Sequence, residues 1–303
     1  MSLAAVLDAA TDDTLLAIAI ALPTPADLLR LALICRAAAQ RFYFTGATSY
    51  RSGSGSAVPS GGTAAAAAAQ QTETWSIIQE AARQWITTCT DQERGWVPRR
   101  GRESWLSLMW EVESLRRGAV FGRSHARITL SESGSLATGN GHDGERCTAA
   151  SKAVMRVGRH YAQFTMVSDR FMFFGVIRPG WDVEGGKEVH HVDDHYLYYT
   201  FLGSGFPGYH NWEGMQGAEE EGDRIGLLLD LDQGTMTVYK NDERLGVMAT
   251  GLSGEYSWAV SLRWQGESAR IESAPAPASP TATELAQAAA YIAEHGRDDG
   301  DDY

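Results

Sequence analysis

The chain has 303 residues, 44% hydrophobic and 21% charged, which suits a globular protein of about two domains. Its formal net charge of -12 argues against a nucleic-acid backbone or an anionic membrane surface as partner, since both are held by clustered Lys and Arg. Cys35, Cys89 and Cys147 are odd in number and widely spaced, so they specify neither a disulfide framework nor a zinc pattern. With no basic leader and no apolar run of membrane-spanning length, the expected location is cytoplasmic or nuclear.

Residues 1–45 read as a helical module. Thr24 can cap a helix, Pro25 fits its first position, and Asp27 complements the helix dipole. Leu28, Leu31, Ala32 and Cys35 then form one apolar stripe, with Leu29 and Leu33 beside it. A helix this apolar must be covered on more than one side, by other parts of the chain or by a partner protein. The run Asp13-x-Leu15-Leu16-x-Ile18, then Leu22-Pro23, then Asp27-Leu28-Leu29-Arg30-Leu31-x-Leu33-Ile34-Cys35-Arg36 resembles an F-box over roughly residues 10–44. That resemblance implies docking onto the Skp-type adaptor of an SCF (cullin–RING) ubiquitin ligase through Leu15, Leu16, Ile18, Leu22, Pro23, Leu28 and Leu31. Two features depart from the family: Thr11-Asp12 replace its opening Leu-Pro, and Ala37-Ala38-Ala39 replace the aromatic expected after Cys35-Arg36.

Residues 46–72 are a low-complexity linker of Gly, Ser and Ala. Residues 73–117 return to helical periodicity through Trp75, Ile78, Ala82, Trp85 and Ile86, and again through Trp105, Leu108, Met109, Val112 and Leu115. These helices are expected to pack beside the domain that follows. The basic residues here, Arg94 to Arg117, read as a solvated or acidic-partner-facing surface rather than an RNA site.

From residue 118 to 272 the pattern changes to short strand candidates at 128–130, 136–138, 153–155, 161–166, 173–177 and 256–262, which predicts an antiparallel β-sandwich. The most specific stretch is Gly222 to Asp242. Ile225, Leu227, Leu229 and Leu231 share one face of a strand, Asp232-Gln233-Gly234 turns the chain, and Asn241-Asp242 tolerate the positive φ of a tight hairpin. Gly222-Asp223-x-Ile225-Gly226, the Asp230/Asp232-x-Gly234 turn, Tyr239-x-Asn241, Gly246, Leu252-x-Gly254 and Trp258-Ala259-Val260-Ser261 together resemble a SPRY domain, a β-sandwich built for protein recognition. Beyond it, residues 273–303 read as a Pro/Ala spacer, a short helix opened by the capping box Thr281-x-x-Glu284, and an acidic tail. The expected architecture is therefore α+β and multidomain: an F-box-like helical module, a helical linker region, the antiparallel SPRY sandwich and a short C-terminal helix.

No constellation for bond chemistry stands out, so no catalytic residue, cofactor or resident metal is expected, and the chain reads as a non-enzyme. Gly203-Ser204-Gly205-Phe206-Pro207-Gly208 satisfies GxGxxG, but no helical pattern follows to aim N–H groups at a pyrophosphate. His190-His191-x-Asp193-Asp194-His195 has the ligand types of a zinc or copper site, yet reads first as a solvated loop. Recognition remains. The SPRY resemblance places a pocket aromatic at Trp264, flanked by Arg263 and Gln265, and a second loop offers Arg178 and Trp181. Of the adjacent Tyr198 and Tyr199 one must face inward; Tyr198 is taken as the target-binding member. The leading reading is a substrate-receptor subunit of an SCF-type ligase, holding a target protein of unknown identity. The rival is a SPRY scaffold without a ubiquitin role, whose helical N-terminus self-associates or docks elsewhere.

Overall fold

The computed structural model describes residues 12–22, 24–34, 41–42, 75–99, 103–117, 119–141, 144–168, 171–185, 188–218 and 220–295. Pro23, Cys35, Arg36, the linker at 46–72 and the acidic tail lie outside them. The chain forms two compact units, one of Met1–Cys89 with Gly101–Trp110, the other of Thr90–Arg100 with Glu111–Tyr303.

In the first unit, α1 (Asp12–Ile20) and α2 (Pro25–Ile34) pack on α3 (Ile77–Thr87), and β1 (Arg41–Phe42) pairs with β2 (Trp75–Ser76). Thr24 caps α2 as expected, its hydroxyl accepting from the Asp27 N–H at 3.2 Å. Ser76 caps α3 in the same way through Gln79. Ala19, Leu28 and Leu31 are buried in this unit, as are Ile77, Ile78, Ala81 and Ala82 of α3. For Leu28 and Leu31 the cover thus comes from within the chain.

The chain passes between the units at 89/90, at 100/101 and, within α5 (Trp105–Arg116), at 110/111. The second unit opens with α4 (Asp91–Trp96), whose capping box joins Thr90 and Glu93. Its body is two antiparallel sheets. The six-stranded sheet runs β10 (Gly205–Phe206), β9 (Tyr196–Tyr199), β8 (Phe173–Ile177), β14 (Ser257–Leu262), β6 (Cys147–Ser151), β3 (Phe121–Ser124). The seven-stranded sheet runs β13 (Glu243–Thr250), β12 (Thr235–Lys240), β11 (Arg224–Asp230), β7 (Arg159–Ser168), β15 (Ser268–Ser273), β5 (Leu136–Gly139), β4 (Ile128–Ser131). Their inner faces interdigitate: Phe164 of β7 stacks on Phe174 of β8 at 4.9 Å and meets Trp258 of β14 edge-on at 6.1 Å.

The hairpin forms as its residues dictate. Ile225, Leu227 and Leu229 enter the core, while Leu228 faces the other way with Tyr161 and Tyr239. Asn241 and Asp242 take φ of 51° and 70°, the two consecutive positive values that turn β12 into β13. One strand differs from expectation. The strand lies at Cys147–Ser151, and Met155 of the 153–155 candidate keeps only a bridge to Tyr256. The Cys-Thr-Ala-Ala-Ser run looks weak as a strand but is buried throughout, and position between β14 and β3 favours small side chains over intrinsic propensity.

The Pro/Ala segment is packed rather than spaced away. Ala274 and Ala276 lie against the Tyr161–Leu228–Tyr239 cluster, and the Ser279 hydroxyl donates to the Asp230 carboxylate. The capping box at Thr281 and Glu284 then starts α6 (Ala282–His295), which rests on β13 through buried Ala288 and an Arg244–Glu284 ion pair at 2.6 Å.

Candidate functional site

Period-two alternation splits the six-stranded sheet. Phe174, Val176, Tyr198, Trp258 and Val260 point into the core, while Phe173, Ile177, Leu197 and Ala259 face outward with Phe206. Register places Phe173 of β8 opposite Tyr199 of β9 and Ser261 of β14. The Phe173 and Tyr199 rings stack at 4.8 Å, and Phe206 stands edge-on to Phe173 at 5.0 Å. This is an aromatic floor at one end of the sheet's outer face.

Two arginines border that floor. Arg146, just ahead of β6, lays its guanidinium 4.4 Å from the Phe173 ring centroid and 5.8 Å from that of Tyr199, and donates to the Phe171 carbonyl at 2.7 Å. Arg263, the first residue after β14, donates Nε to the Gly144 carbonyl at 2.9 Å and lies 5.0 Å from the Trp264 ring. The backbone N–H groups of Arg263 and Trp264 both donate to the buried Glu267 carboxylate, which fixes the loop. Trp264 itself is 41% exposed. Its indole lies against Gly144, whose φ of +76° and lack of a Cβ permit the approach: a Cβ there would stand 2.9 Å from the ring.

Two arginines meet here above a buried carboxylate. Burial lowers the pKa of Arg146, Tyr199 and Glu267 offset part of that, and Arg263 adds like-charge repulsion, but a guanidinium keeps its proton in proteins. His190 stacks on Phe173 at 4.9 Å; burial and the positive charges of Arg146 and Arg263 help depress its pKa to about 4, so it is neutral at pH 7. Burial raises the Tyr199 hydroxyl above its usual range.

The residues expected to bind a target do not converge. Trp264, Arg263 and Gln265 are exposed at the end of β14 that follows Leu262. Arg178 and Trp181 follow Ile177, which pairs with Ser257 at the opposite end of that six-residue strand, roughly 20 Å away. There Arg178 is committed to the Ser253 and Glu255 carbonyls and lies 4.4 Å from the Tyr256 ring centroid, while half-buried Trp181 stands edge-on to His195 at 5.3 Å. Tyr198 corrects an expectation: it is buried in the core and donates its hydroxyl to the Gln216 carbonyl, so the outward tyrosine is Tyr199. In the other unit, Leu16, Ile18 and Leu22 are half-buried, Leu28 and Leu31 are interior, and Leu15 is described through its backbone alone. Sequence reasoning did not single out Arg146 or Phe173, raised His190 only as a possible metal ligand, and placed Tyr198 ahead of Tyr199. The β8–β9 register pairs Phe173 with Tyr199, and the order β8–β14–β6 brings Arg146 beside them; neither is visible in a local motif.

The histidine-rich stretch is likewise not a solvated loop. Val189–His191 form a short 3-10 turn, which breaks the alternation, so His190 turns toward Phe173, His195 is fully buried with Nδ1 on the Val189 carbonyl, and His191 stays exposed. Glu188, His190 and His191 bring three potential metal-ligand atoms within 4.8 Å of one another. The charges of Arg146 and Arg263 oppose a dication there, and His190 Nδ1 is buried without the second partner that orients a ligating imidazole. The GxGxxG run contains β10 and the turn after it, with no helix following.

No protein-family model matches the chain, and no curated protein matches it. Solved structures with a similar backbone include the SPRY domain of human HERC1, with a TM-score of 0.44 and 18% identity over 52% of this chain and 99% of that one. Others are a human SPRY domain, at 0.38 and 19% over 48% of this chain and 94% of that one, and the TRIM65 PSpry domain, at 0.39 and 13% over 50% and 87%. At these values nothing about binding is transferred from them. The chain itself forms a two-sheet antiparallel β-sandwich with a short C-terminal helix packed on it.

Proposed function

We propose that residues 118–272 form a SPRY-type recognition domain that holds a target protein at the Trp264 corner, and that the chain serves as a substrate receptor of an SCF-type ubiquitin ligase. The observation that carries the recognition reading is the exposed Trp264 beside Arg263, held by Glu267 and Gly144 at the same end of the sheet as the aromatic floor. An exposed indole beside a guanidinium on a fixed loop is the composition of an interface hot spot. The ordered motif run from Gly222 to Ser261 supports the family reading. In the ligase reading the chain performs no bond chemistry and contributes proximity between a target and a ubiquitin-loaded partner.

The adaptor half of the proposal rests on the resemblance of residues 10–44. Its accessible surface is the half-buried Leu16, Ile18 and Leu22 with Ile20, which is 45% exposed; Leu28 and Leu31 support the helices from within. The test is capture of a purified Skp-type adaptor by the full chain, compared with Ile20→Asp plus Leu22→Asp. Capture by wild type and its loss in the variant, at unchanged melting temperature, is expected. If wild type captures no adaptor, the ligase reading falls and the rival SPRY scaffold takes its place. For the target side, Trp264→Ala in the full chain is expected to lose proteins that wild type enriches; an unchanged set removes the corner from the proposal.

A further inference from the structure

We infer that the corner formed by Arg146, Arg263, Tyr199 and Trp264 is a receptor for a side-chain carboxylate, and that the segment it holds is an acidic peptide. The inference rests on the recognition reading above and specifies its ligand.

The chain carries 38 acidic against 26 basic residues, and many of its arginines are paired with carboxylates: Arg116 with Glu93, Arg127 with Glu145, Arg156 with Glu111 and Glu255, Arg270 with Glu132. Arg146 and Arg263 differ. Among the described residues no carboxylate forms an ion pair with either, although they are close enough for Arg263 to oppose the charge on Arg146. The acids nearby are engaged elsewhere. Glu145 pairs with Arg127 at 3.1 Å, Glu188 lies 3.2 Å from His190 Nε2, and Glu267 accepts from the backbone of Arg263 and Trp264. Buried Glu267 offsets the charge of Arg146 through space, but neither guanidinium has the direct carboxylate contact that the paired arginines have, and a bound carboxylate would supply it.

The arrangement also fits the ligand's shape. Arg146 is half-buried with its guanidinium 4.4 Å from the Phe173 centroid, Nη1 donates to the Phe171 carbonyl, and the Tyr199 hydroxyl is a further side-chain partner. A guanidinium has five N–H donors, so one that bonds a carbonyl and a hydroxyl keeps donors for a planar carboxylate. Glu145 and Glu188 nearby, with Glu267 buried beneath the loop, oppose a dianion more than a single negative charge, which favours carboxylate over phosphate. Trp264 and the Phe173–Tyr199–Phe206 floor give the flanking peptide residues an apolar surface.

The test uses the purified full chain and an immobilised array of eight-residue peptides in triplets that differ at one central position: Glu, Gln or phosphoserine. Wild type is expected to retain Glu peptides about tenfold more strongly than their Gln partners, with that margin shrinking as salt rises. Arg263→Gln, at an exposed position, is expected to abolish the margin, and Arg146→Lys, which keeps charge but loses the fork, to reduce it. Equal retention of Glu and Gln peptides, lost in Trp264→Ala, overturns the carboxylate inference and leaves the recognition reading standing. Preference for phosphoserine over Glu overturns it in favour of a phosphopeptide. Retention of no peptide by wild type overturns it together with peptide recognition at this corner.

Discussion

The indole of Trp96 lies nearly parallel to the imidazole of His160, with ring centroids 5.6 Å apart and planes inclined by 26°. The indole N–H donates to the Arg159 carbonyl at 3.0 Å, so the end of α4 is fastened to the first residues of β7. His160 is thereby buried, with Nε2 at 2.8 Å from the Val157 carbonyl, beside a cavity of ≈ 200 Å³ lined by Trp96, Met155 and Trp258.

Burial depresses the His160 pKa from 6.5 to about 4. Between those values the unfolded chain binds a proton that the folded chain refuses, so stability rises with pH across this window and falls as pH drops from 6.5 to 4. The full effect for this one group is on the order of 3 kcal/mol. Burial drives His190 and His195 in the same direction. Denaturation midpoints measured at pH 7.5 and 5 should show the fold weaker at pH 5, and His160→Gln should narrow the difference. An unchanged difference would contradict this role for the buried ring.

Glu93 governs a more acidic window. The Arg116 guanidinium, donating through Nε and Nη2, holds its pKa at about 2, with the Thr90 backbone and hydroxyl assisting. A carboxylate with a depressed folded pKa stabilises fully above 4.5, and that contribution is lost as pH falls toward 2. Glu93→Gln should cost about 1 kcal/mol at pH 7, where both the cap and the ion pair are present, and much less at pH 3. Urea unfolding at the two pH values checks it.

Asp230 ties the hairpin to the C-terminal segment. It is buried, accepts from the Asp232 and Gln233 N–H groups at 3.1 and 3.0 Å, and receives the Ser279 hydroxyl. Asp230→Ala leaves two N–H donors of a tight turn without partners and should destabilise by about 2–3 kcal/mol. Ser279→Ala should cost about 1 kcal/mol and increase amide exchange in α6 more than in β11.

Gly226 is set by Tyr161. A Cβ at position 226 would stand 2.0 Å from the Tyr161 hydroxyl oxygen, because Tyr161 leans along β7 over its neighbour β11. Gly226→Ala should cost about 1–3 kcal/mol through the displaced ring. Adding Tyr161→Phe should recover part of it by removing the nearest atom; a double variant no more stable than Gly226→Ala alone would place the strain elsewhere.

Much of the local structure was legible because local chemistry decides it. Alternating Ile225, Leu227 and Leu229 needed a strand, Asn241-Asp242 needed a turn of positive φ, and Thr24 and Thr281 had the hydroxyls to cap the helices after them. Cys147–Ser151 escaped because its small side chains answer to a crowded position between neighbouring strands rather than to strand propensity. The Pro/Ala segment carried no sign that Ala274 and Ala276 would cover a tyrosine pair.

The candidate site divides in the same way. Sequence by itself determined the kinds of residue available for recognition, including Trp264 with Arg263 just beyond an apolar strand. It did not determine which of them meet. Arg178 and Arg263 border the same strand yet belong to opposite ends of it, and Tyr198 and Tyr199 are neighbours assigned to opposite faces. Arg146 is separated by about fifty residues from Tyr199 and by more than a hundred from Arg263, and only the pairing of β8, β9, β14 and β6 brings them to one corner. Hydrophobic period and turn chemistry are local and can be read along a chain. Strand register and sheet order are fixed by the shared core, and in this protein they decide where the cations and aromatics gather.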